Sequence, residues 1–244
     1  MREKLLAVIP ARSGSKRIPN KNIKIFCGKP LIAYPIKQAL SCHIIDRVIV
    51  DTDSPRIAKI AKKYGAEVPW LRPARLAQDR SQYVSSLLYL LKRLQKEQNY
   101  LPTHVIILQT TSPLRAMRDI MDTWRLMRTT NVTTALTVCS THPRLYYLSP
   151  KRDLILVNDT GNKSTNTQSW RQGYILNGCS VGIVKTRAFL KEKSVITKKT
   201  KAVICPKWRS IDLDTPEEWV MAEVLYKNKE RVKNRIKALE RRHN

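Results

Sequence analysis

A loop near the amino terminus combines small residues with cations directly after an apolar run. The run 5–9 is Leu-Leu-Ala-Val-Ile, which predicts a fully buried strand. The loop that follows contains Ala11, Arg12, Ser13, Gly14, Ser15, Lys16, Arg17, Lys21 and Asn22. Small residues let backbone N–H groups approach a ligand, and cations attract a polyphosphate. The loop matches neither Gly-x-x-x-x-Gly-Lys-Ser/Thr nor Gly-x-Gly-x-x-Gly. Its charge alone fits a solvated loop equally well, but its position after a strand favours a ligand site.

Two aspartates near the carboxyl terminus form the second candidate site. Asp212 and Asp214 are separated by one apolar residue, Leu213. In an extended segment, residues two apart face the same side, so both carboxylates could point together while Leu213 enters the core. Such an all-oxygen pair suits Mg²⁺ bound to substrate phosphates. A local alternative is helix capping, because Thr215 and Glu218 form a capping box, although that box does not account for Asp212.

Alternating apolar runs and amphipathic segments must position these residues. We predict strands at 5–9, 47–50, 67–71, 103–108, 131–138, 179–184 and 201–205, and helices at 30–41, 55–64, 81–98, 118–129 and 227–244. Ser54 and Pro55 favour the start of the second helix, and Gly65 its end. The βαβαβ order predicts a parallel sheet with right-handed crossovers, whose ligand lies beyond the carboxyl ends of the strands. Asp51 and Asp53 follow one strand there, where either function or helix capping could explain them.

The composition predicts one α/β domain spanning 1–244. No apolar run of about 18 residues occurs, so we expect no membrane span, and the lack of a signal peptide favours the cytoplasm. The five cysteines lack a Cys-x-x-Cys pair and are predicted to be reduced thiols rather than a disulfide frame or zinc site. The net charge of +27 favours anionic partners, but the lack of an aromatic-rich RNA-binding motif argues against nucleic acid as one of them.

Several motifs in register resemble the acylneuraminate cytidylyltransferases, the CMP-sialic acid synthetases. They cover nearly the whole chain, at positions 9–22, 28–34, 46–53, 64–69, 71–73, 109–115, 177–178 and 210–215. The resemblance implies a three-layer, mainly parallel but mixed, Rossmann-like nucleotidyltransferase sheet. It also implies an enzyme that transfers CMP from CTP to the anomeric hydroxyl of a nine-carbon acid sugar, with Mg²⁺ as cofactor and release of pyrophosphate.

This resemblance assigns roles to individual residues. The phosphate-binding loop, Ala11 to Lys16 with Lys21, would hold the triphosphate, and Asn22 and Arg72 would orient the nucleoside. Gln109, Arg171 and Asn177 would contact the sugar, while Asp212 and Asp214 would bind the metal. The residues assigned to catalysis are Arg12, Lys21 and Asp214. The family usually has Glu at position 75 and small residues at 80 and 83, so the base pocket departs most from the pattern. In the loop that faces the sugar, it usually has Pro at position 110, where this chain has Thr.

Residues 140–173 lose the periodicity of the sheet and predict an excursion with short strands at 146–148 and 154–157. The resemblance implies that this excursion reaches a second subunit, which predicts a homodimer. Three other functions stay open on sequence grounds. The sugar could be pseudaminic or legionaminic acid, or, less readily, an eight-carbon acid sugar. The chain could also be a noncatalytic nucleic-acid-binding protein on this scaffold.

Overall fold

The computed structural model describes residues 3–78, 82–157, 171–176 and 180–241. Within these ranges the chain alternates strands and helices. The strands are β1 Leu5–Pro10, β2 Ile25–Phe26, β3 Lys29–Pro30, β4 Arg47–Asp51, β5 His104–Ile107, β6 Thr134–Thr141, β7 Tyr146–Leu148, β8 Leu154–Leu156, β9 Gly173–Ile175, β10 Gly182–Lys185 and β11 Thr200–Ile204. The helices are α1 Ala33–Leu40, α2 Pro55–Lys63, α3 Tyr83–Gln98, α4 Met117–Thr129, α5 Thr186–Glu192, α6 Pro216–Lys227 and α7 Lys229–Glu240.

The central sheet has the strand order β11-β6-β10-β5-β1-β4, and β9 adds to one end of β6. β1 runs parallel to β4 and β5, whereas β10 runs antiparallel to its two neighbours, β5 and β6. The sheet is therefore mixed but mainly parallel, as predicted. The carboxyl ends of β1, β4 and β5 meet at one edge, which is where ligands bind in sheets of this kind.

Alternation along β1 divides the core between the two faces of the sheet. Leu5, Ala7 and Ile9 pack with α1, α2 and α4, whereas Leu6 and Val8 pack with α3 and α5. All five side chains of this run are at most 1% exposed, so the strand is buried on both faces. This arrangement confirms the predicted three-layer α/β fold.

A third apolar cluster links the amino-terminal loop to the segment that carries the two aspartates. Phe26 of β2 packs there with Leu213 and with Trp219 of α6, and each of the three is at most 6% exposed. Ile18, at the end of the cationic loop, belongs to the same cluster. The burial of Leu213 was predicted, and it fixes both flanking aspartates beside the loop.

Helix termini follow the local signals where the sequence provides them. Ser54 accepts a hydrogen bond from the Ile57 amide, and α2 ends before Gly65, whose φ is +94°. Thr215 and Glu218 form the predicted capping box at the start of α6. These signals act over three or four residues, so the helix ends that they specify do not depend on contacts with distant parts of the chain.

Several predicted elements were wrong in extent. The strand at 67–71 is only a bridge between Glu67 and Ile49, because Pro69 has no N–H to continue a ladder. The first helix begins at Ala33, since Pro30 belongs to the β2–β3 ribbon. β6 lies three residues later than predicted. α7 covers less of the chain than the helix predicted at 227–244, and its Leu239 is 44% exposed.

The excursion contains the two predicted short strands, β7 and β8, which pair as an antiparallel hairpin. Its boundaries are less distinct than predicted, because β6 continues to Thr141 and pairs there with Gly173 of β9.

No helix in the described part of the chain is long and apolar enough to cross a bilayer. The four cysteines that lie within it, Cys27, Cys42, Cys139 and Cys205, are free thiols.

Candidate active site

A cleft of about 670 Å³ opens at the carboxyl ends of β1, β4 and β5. Eight of the residues that line it were predicted as site residues from the sequence. They are Arg12, Ser15, Lys16, Lys21, Asn22, Arg72, Gln109 and Asp214. They come from four separate segments of the chain. Other lining residues were not predicted as site residues, and they are Pro10, Arg17, Ile18, Leu76, Gln78, Tyr83, Ile107, Thr110 and Thr111. The volume accommodates a nucleotide-sized ligand.

Asp214 lies among cations of the amino-terminal loop. The Lys21 ammonium donates to Asp214 Oδ1 at 2.9 Å and to the Leu213 carbonyl at 2.8 Å. Arg17 donates to Asp214 Oδ2 at 2.8 Å. Burial alone would raise the pKa of Asp214, but the hydrogen bonds and charges of Lys21 and Arg17 outweigh it, so this pKa is lowered. The loop and the acidic segment, almost 200 residues apart in sequence, therefore meet in one cluster.

The two cations differ in how firmly they are held. The Lys21 side chain is 14% exposed, whereas that of Arg17 is 66% exposed. An exposed ion pair contributes little to stability and exchanges partners readily. Lys21 is thus a fixed positive charge at the cleft, and Arg17 can turn towards an incoming anion.

Asp212 is placed differently from Asp214. Its Oδ1 is buried and has no hydrogen-bond partner among the described residues. Burial is the main cause of its raised pKa; the nearby Thr111 hydroxyl opposes the shift, while the charge of Asp214 adds to it. The segment is not extended, because the Asp214 amide donates to the Asp212 carbonyl, closing a three-residue turn. A turn, rather than the predicted alternation, brings the two carboxylates close together.

These two carboxylates fit a hard divalent cation. An orphaned carboxylate oxygen on Asp212 and a partly exposed carboxylate on Asp214 offer oxygen ligands beside a phosphate-sized cationic region. No group of three or more His, Cys, Asp or Glu side chains that could hold a metal occurs in ranges 3–78, 82–157, 171–176 and 180–241. Any ion here would therefore need oxygens from a substrate or water to complete its coordination, as Mg²⁺ commonly does.

The backbone of the phosphate-binding loop is partly committed to other contacts. The Ser13 amide donates to Asp53 Oδ1 at 2.9 Å, and the Ser13 hydroxyl donates to Asp53 Oδ2. The Ser15 amide donates to the Ser13 carbonyl. Asp53 therefore shapes this loop and does not cap α2, which Ser54 does. Ala11 is buried, and its amide donates to the carbonyl of Asp51. Gly14 is exposed and, like Ala11 and Ser13, is not among the cleft-lining residues.

Asn22 is a buried brace between two loops. Its amide nitrogen donates to the Arg12 carbonyl at 2.8 Å, and its Oδ1 accepts from the Thr110 hydroxyl at 2.6 Å. The side chain thus fixes the loop after β1 against the loop after β5. Thr110 departs from the Pro that the sequence resemblance implies at this position, and its hydroxyl has a defined structural partner in Asn22.

A buried ion pair organises the opposite part of the cleft. Arg72 donates from one terminal nitrogen to Asp51 Oδ2 at 2.7 Å and to the Asp51 carbonyl at 2.8 Å. Ser86 of α3 donates a short hydrogen bond to the same Asp51 oxygen. The side chains of Asp51 and Arg72 are 6% and 5% exposed. Asp51 and Ser86 were not predicted as site residues, although Asp51 was noted for its position at the end of β4.

Gln109 lies at the cleft, on a loop that Arg115 holds in place. Arg115 is buried and donates to the carbonyls of Gln109 and Ser180, both at 2.5 Å. The Thr111 hydroxyl donates to Gln109 Oε1 at 3.3 Å, which leaves the amide nitrogen of Gln109 for a ligand. Arg171 is exposed and does not line the cleft in this structure. Asn177 lies outside the described residues.

Comparison with known proteins gives a consistent result. The sequence model of the family described as cytidylyltransferase matches residues 6–143. The CMP-N,N'-diacetyllegionaminic acid synthase of Legionella pneumophila is 34% identical, over 91% of this chain and 96% of its own length. A pseudaminic acid cytidylyltransferase of Campylobacter jejuni is 31% identical, over 92% and 97%. The N-acylneuraminate cytidylyltransferase of Escherichia coli is 32% identical, over 96% of this chain and 54% of that protein.

Solved structures agree on the fold. A CMP:2-keto-3-deoxy-manno-octonic acid synthetase complexed with CTP superposes with a TM-score of 0.67 and 18% identity, covering 93% of this chain and all of the other. A 4-diphosphocytidyl-2C-methyl-D-erythritol synthase of Anaerococcus prevotii gives 0.63 and 13%, covering 92% and 99%. Cytidylyltransferases of this kind generally use a divalent metal ion.

Proposed function

Because this chain belongs to the cytidylyltransferase family, we propose that it transfers CMP from CTP to the anomeric hydroxyl of a nine-carbon acid sugar, releasing pyrophosphate. The observation that carries the proposal is the meeting of Lys21 and Asp214 in a nucleotide-sized cleft. A cationic loop and an acidic segment at one point suit a metal-bound triphosphate. The fold does not require this ion pair to hold the two segments in place, since apolar residues of both segments are already buried in one cluster.

In this reaction the sugar hydroxyl oxygen attacks the α-phosphorus of CTP. A new O–P bond forms, the bond to the bridging oxygen of the β-phosphate breaks, and the hydroxyl proton passes to solvent. Arg12, Lys16 and Lys21 would hold the phosphates and neutralise the charge that develops on pyrophosphate. Arg17 would give up its hydrogen bond to Asp214 and donate to a phosphate oxygen instead. The main contribution of the protein is alignment of the two reactants and charge stabilisation.

Asp212 and Asp214 would hold the divalent ion, for which we propose Mg²⁺. When bound, the ion supplies charge neutralisation at the phosphate oxygens. The orphaned Oδ1 of Asp212 supports this assignment, because a buried carboxylate oxygen without a donor is costly unless a cation satisfies it.

The sugar would lie beyond the loop that carries Gln109. The amide nitrogen of Gln109 can donate to a hydroxyl or N-acyl oxygen of such a sugar. Arg171 and Asn177 remain proposed sugar contacts, and Arg171 would have to move towards the cleft on binding. The similarity to a legionaminic acid synthase supports a second candidate, in which the acid sugar is legionaminic or pseudaminic acid.

We propose that the excursion mediates a homodimer. Several of its apolar side chains are more than half exposed in the single chain, namely Leu145, Tyr147, Leu148, Leu154 and Val157. An exposed apolar patch of this kind marks an interaction surface. A two-stranded hairpin is marginal by itself, so packing against a partner would also stabilise it. The proposed location in the cytoplasm, and the expectation that nucleic acid is not a partner, stay predictions.

The test is pyrophosphate release from CTP and Mg²⁺ with a panel of acid sugars, including neuraminic, legionaminic, pseudaminic and eight-carbon members. We expect turnover with at least one nine-carbon sugar and none when Mg²⁺ is chelated. Asp214→Asn serves as the inactive comparison, and Asp122→Asn, which changes a surface ion pair on α4, serves as the matched control. No pyrophosphate with any sugar, together with no binding of CTP, would remove the proposal.

A further inference from the structure

Two buried polar atoms near one end of the cleft have no hydrogen-bond partner among the described residues. They are Nε of Arg72 and the hydroxyl oxygen of Tyr83, and both residues line the cleft. Tyr83 is the first residue of α3, and Arg72 lies in the loop after the Glu67 bridge. Unpartnered buried polar groups are rare in folded proteins because each one costs free energy. Two of them on the wall of one cleft therefore call for a ligand.

Two of the polar groups beside them already have partners. A terminal nitrogen of Arg72 donates to the Asp51 carboxylate, and the Ser86 hydroxyl donates to the same carboxylate. Arg72 therefore has one carboxylate of its own, whereas Arg17 and Lys21 at the triphosphate end share the single carboxylate of Asp214. The end of the cleft near Tyr83 is therefore suited to a neutral polar edge rather than to another phosphate group.

The chemical state of Tyr83 fits this requirement. Burial raises its pKa, and the nearby Asp51 charge raises it further, while Arg72 acts in the opposite direction. The phenol thus keeps its proton at neutral pH and can both donate and accept. Arg72 Nε can only donate. A pyrimidine edge presents carbonyl, ring-nitrogen and amino groups that such a pair can bind.

We propose that the Tyr83 hydroxyl, together with Arg72 Nε, binds the polar edge of the nucleobase, and that Tyr83 determines nucleotide affinity at this end of the cleft. The inference rests on the proposed function for the identity of the ligand. Asp51 acts as a positioning residue, since it orients Arg72 without facing the ligand.

The test compares Tyr83→Phe with Tyr100→Phe. Tyr100 is the matched control, because its hydroxyl is also buried without a hydrogen-bond partner in the described part of the chain, and burial raises its pKa to about 12. It precedes the amino end of β5, so it lies away from the cleft at the carboxyl ends. The affinities of the wild type and both variants for CTP, UTP and inorganic tripolyphosphate are measured by calorimetry with Mg²⁺ and without sugar.

We expect Tyr83→Phe to weaken CTP binding about three- to tenfold, which corresponds to one neutral hydrogen bond. Binding of tripolyphosphate should not change, because it has no base. Tyr100→Phe should bind all three ligands like the wild type. A Tyr83→Phe variant that binds CTP with wild-type affinity, or that weakens tripolyphosphate as much as CTP, overturns the inference. A smaller loss for UTP than for CTP would further identify the amino-bearing edge as the contact, and an equal loss would place the contact on the carbonyl shared by both bases.

Thermal unfolding separates a binding contact from damage to the fold. Both substitutions remove an unpartnered buried hydroxyl, so both variants should unfold at or above the wild-type temperature in the absence of ligand. A lower unfolding temperature for Tyr83→Phe alone would show that the hydroxyl has a structural partner, which also contradicts the inference. If the wild type binds tripolyphosphate but no nucleotide, the proposed function fails, independently of Tyr83.

Discussion

The ion pair between Asp51 and Arg72 provides the sharpest test of how the cleft is built. Asp51→Asn is nearly isosteric but leaves the guanidinium of Arg72 buried without a counter-charge. Because both side chains are at least 94% buried, solvent cannot compensate for the lost charge. Breaking one partner of a buried pair costs about 3–5 kcal/mol, and the whole fold has only about 5–15 kcal/mol of stability. We therefore expect Asp51→Asn to lose a large fraction of the free energy of unfolding.

A double-mutant cycle in urea measures this coupling directly. Arg72→Met should also destabilise the protein, since it leaves the Asp51 carboxylate with only the Ser86 hydroxyl among the partners described above. The double variant Asp51→Asn/Arg72→Met contains no buried charge at this place and should be more stable than the worse single variant. The control is Glu97→Gln, the same acid-to-amide change in the exposed pair with Arg93, which should have little effect. Single losses below about 1 kcal/mol, or losses that simply add in the double variant, would refute the reasoning.

Three further predictions concern the triphosphate end of the cleft. Arg12→Ala should weaken CTP far more than the sugar, as measured by the two KM values, and equal losses would contradict its place in the phosphate-binding loop. Asp214→Asn should nearly abolish turnover while its circular dichroism spectrum stays that of the wild type; wild-type activity would remove Asp214 from the site. Asp212→Asn should make the protein without metal more stable at pH 8 than the wild type, because the raised pKa of Asp212 means that folding penalises its charged form. That advantage should shrink as the pH falls through the range above 3.8 in which Asp212 becomes protonated, and a gap independent of pH between 4 and 8 would show that the charge is not the cause.

Much of the fold could be predicted because its signals are local. The apolar run of β1 is short and uninterrupted, and Ser54, Pro55 and Gly65 mark both ends of α2 within the helix itself. The capping box of Thr215 and Glu218 acts over three residues. The resemblance to the cytidylyltransferases was confirmed by the relatives and the family match. Short-range chemistry therefore gave correct predictions at these helix ends.

The pairings inside the cleft could not be predicted, because they join distant segments. Asp53 lies one residue from a helix cap, so capping was a reasonable interpretation, yet its carboxylate binds Ser13, which lies 40 residues earlier. Asp51 binds Arg72 and Ser86 across a loop and a helix that no local pattern relates. The strand expected at 67–71 fails for a similar reason, since apolar character fits a strand but only the ladder shows that Pro69 ends it.

The charge of the chain shows the same contrast between composition and structure. A net charge of +27 suggests a cleft with excess positive charge, but key cations there are matched to specific carboxylates. Lys21 and Arg17 share Asp214, and Arg72 has Asp51. A phosphate group that enters must therefore compete with Asp214 for Lys21 and Arg17 unless a divalent ion arrives with it and binds the carboxylate. This competition gives a physical reason for coupling nucleotide binding to a metal, and it follows from the pairing of charges rather than from their number.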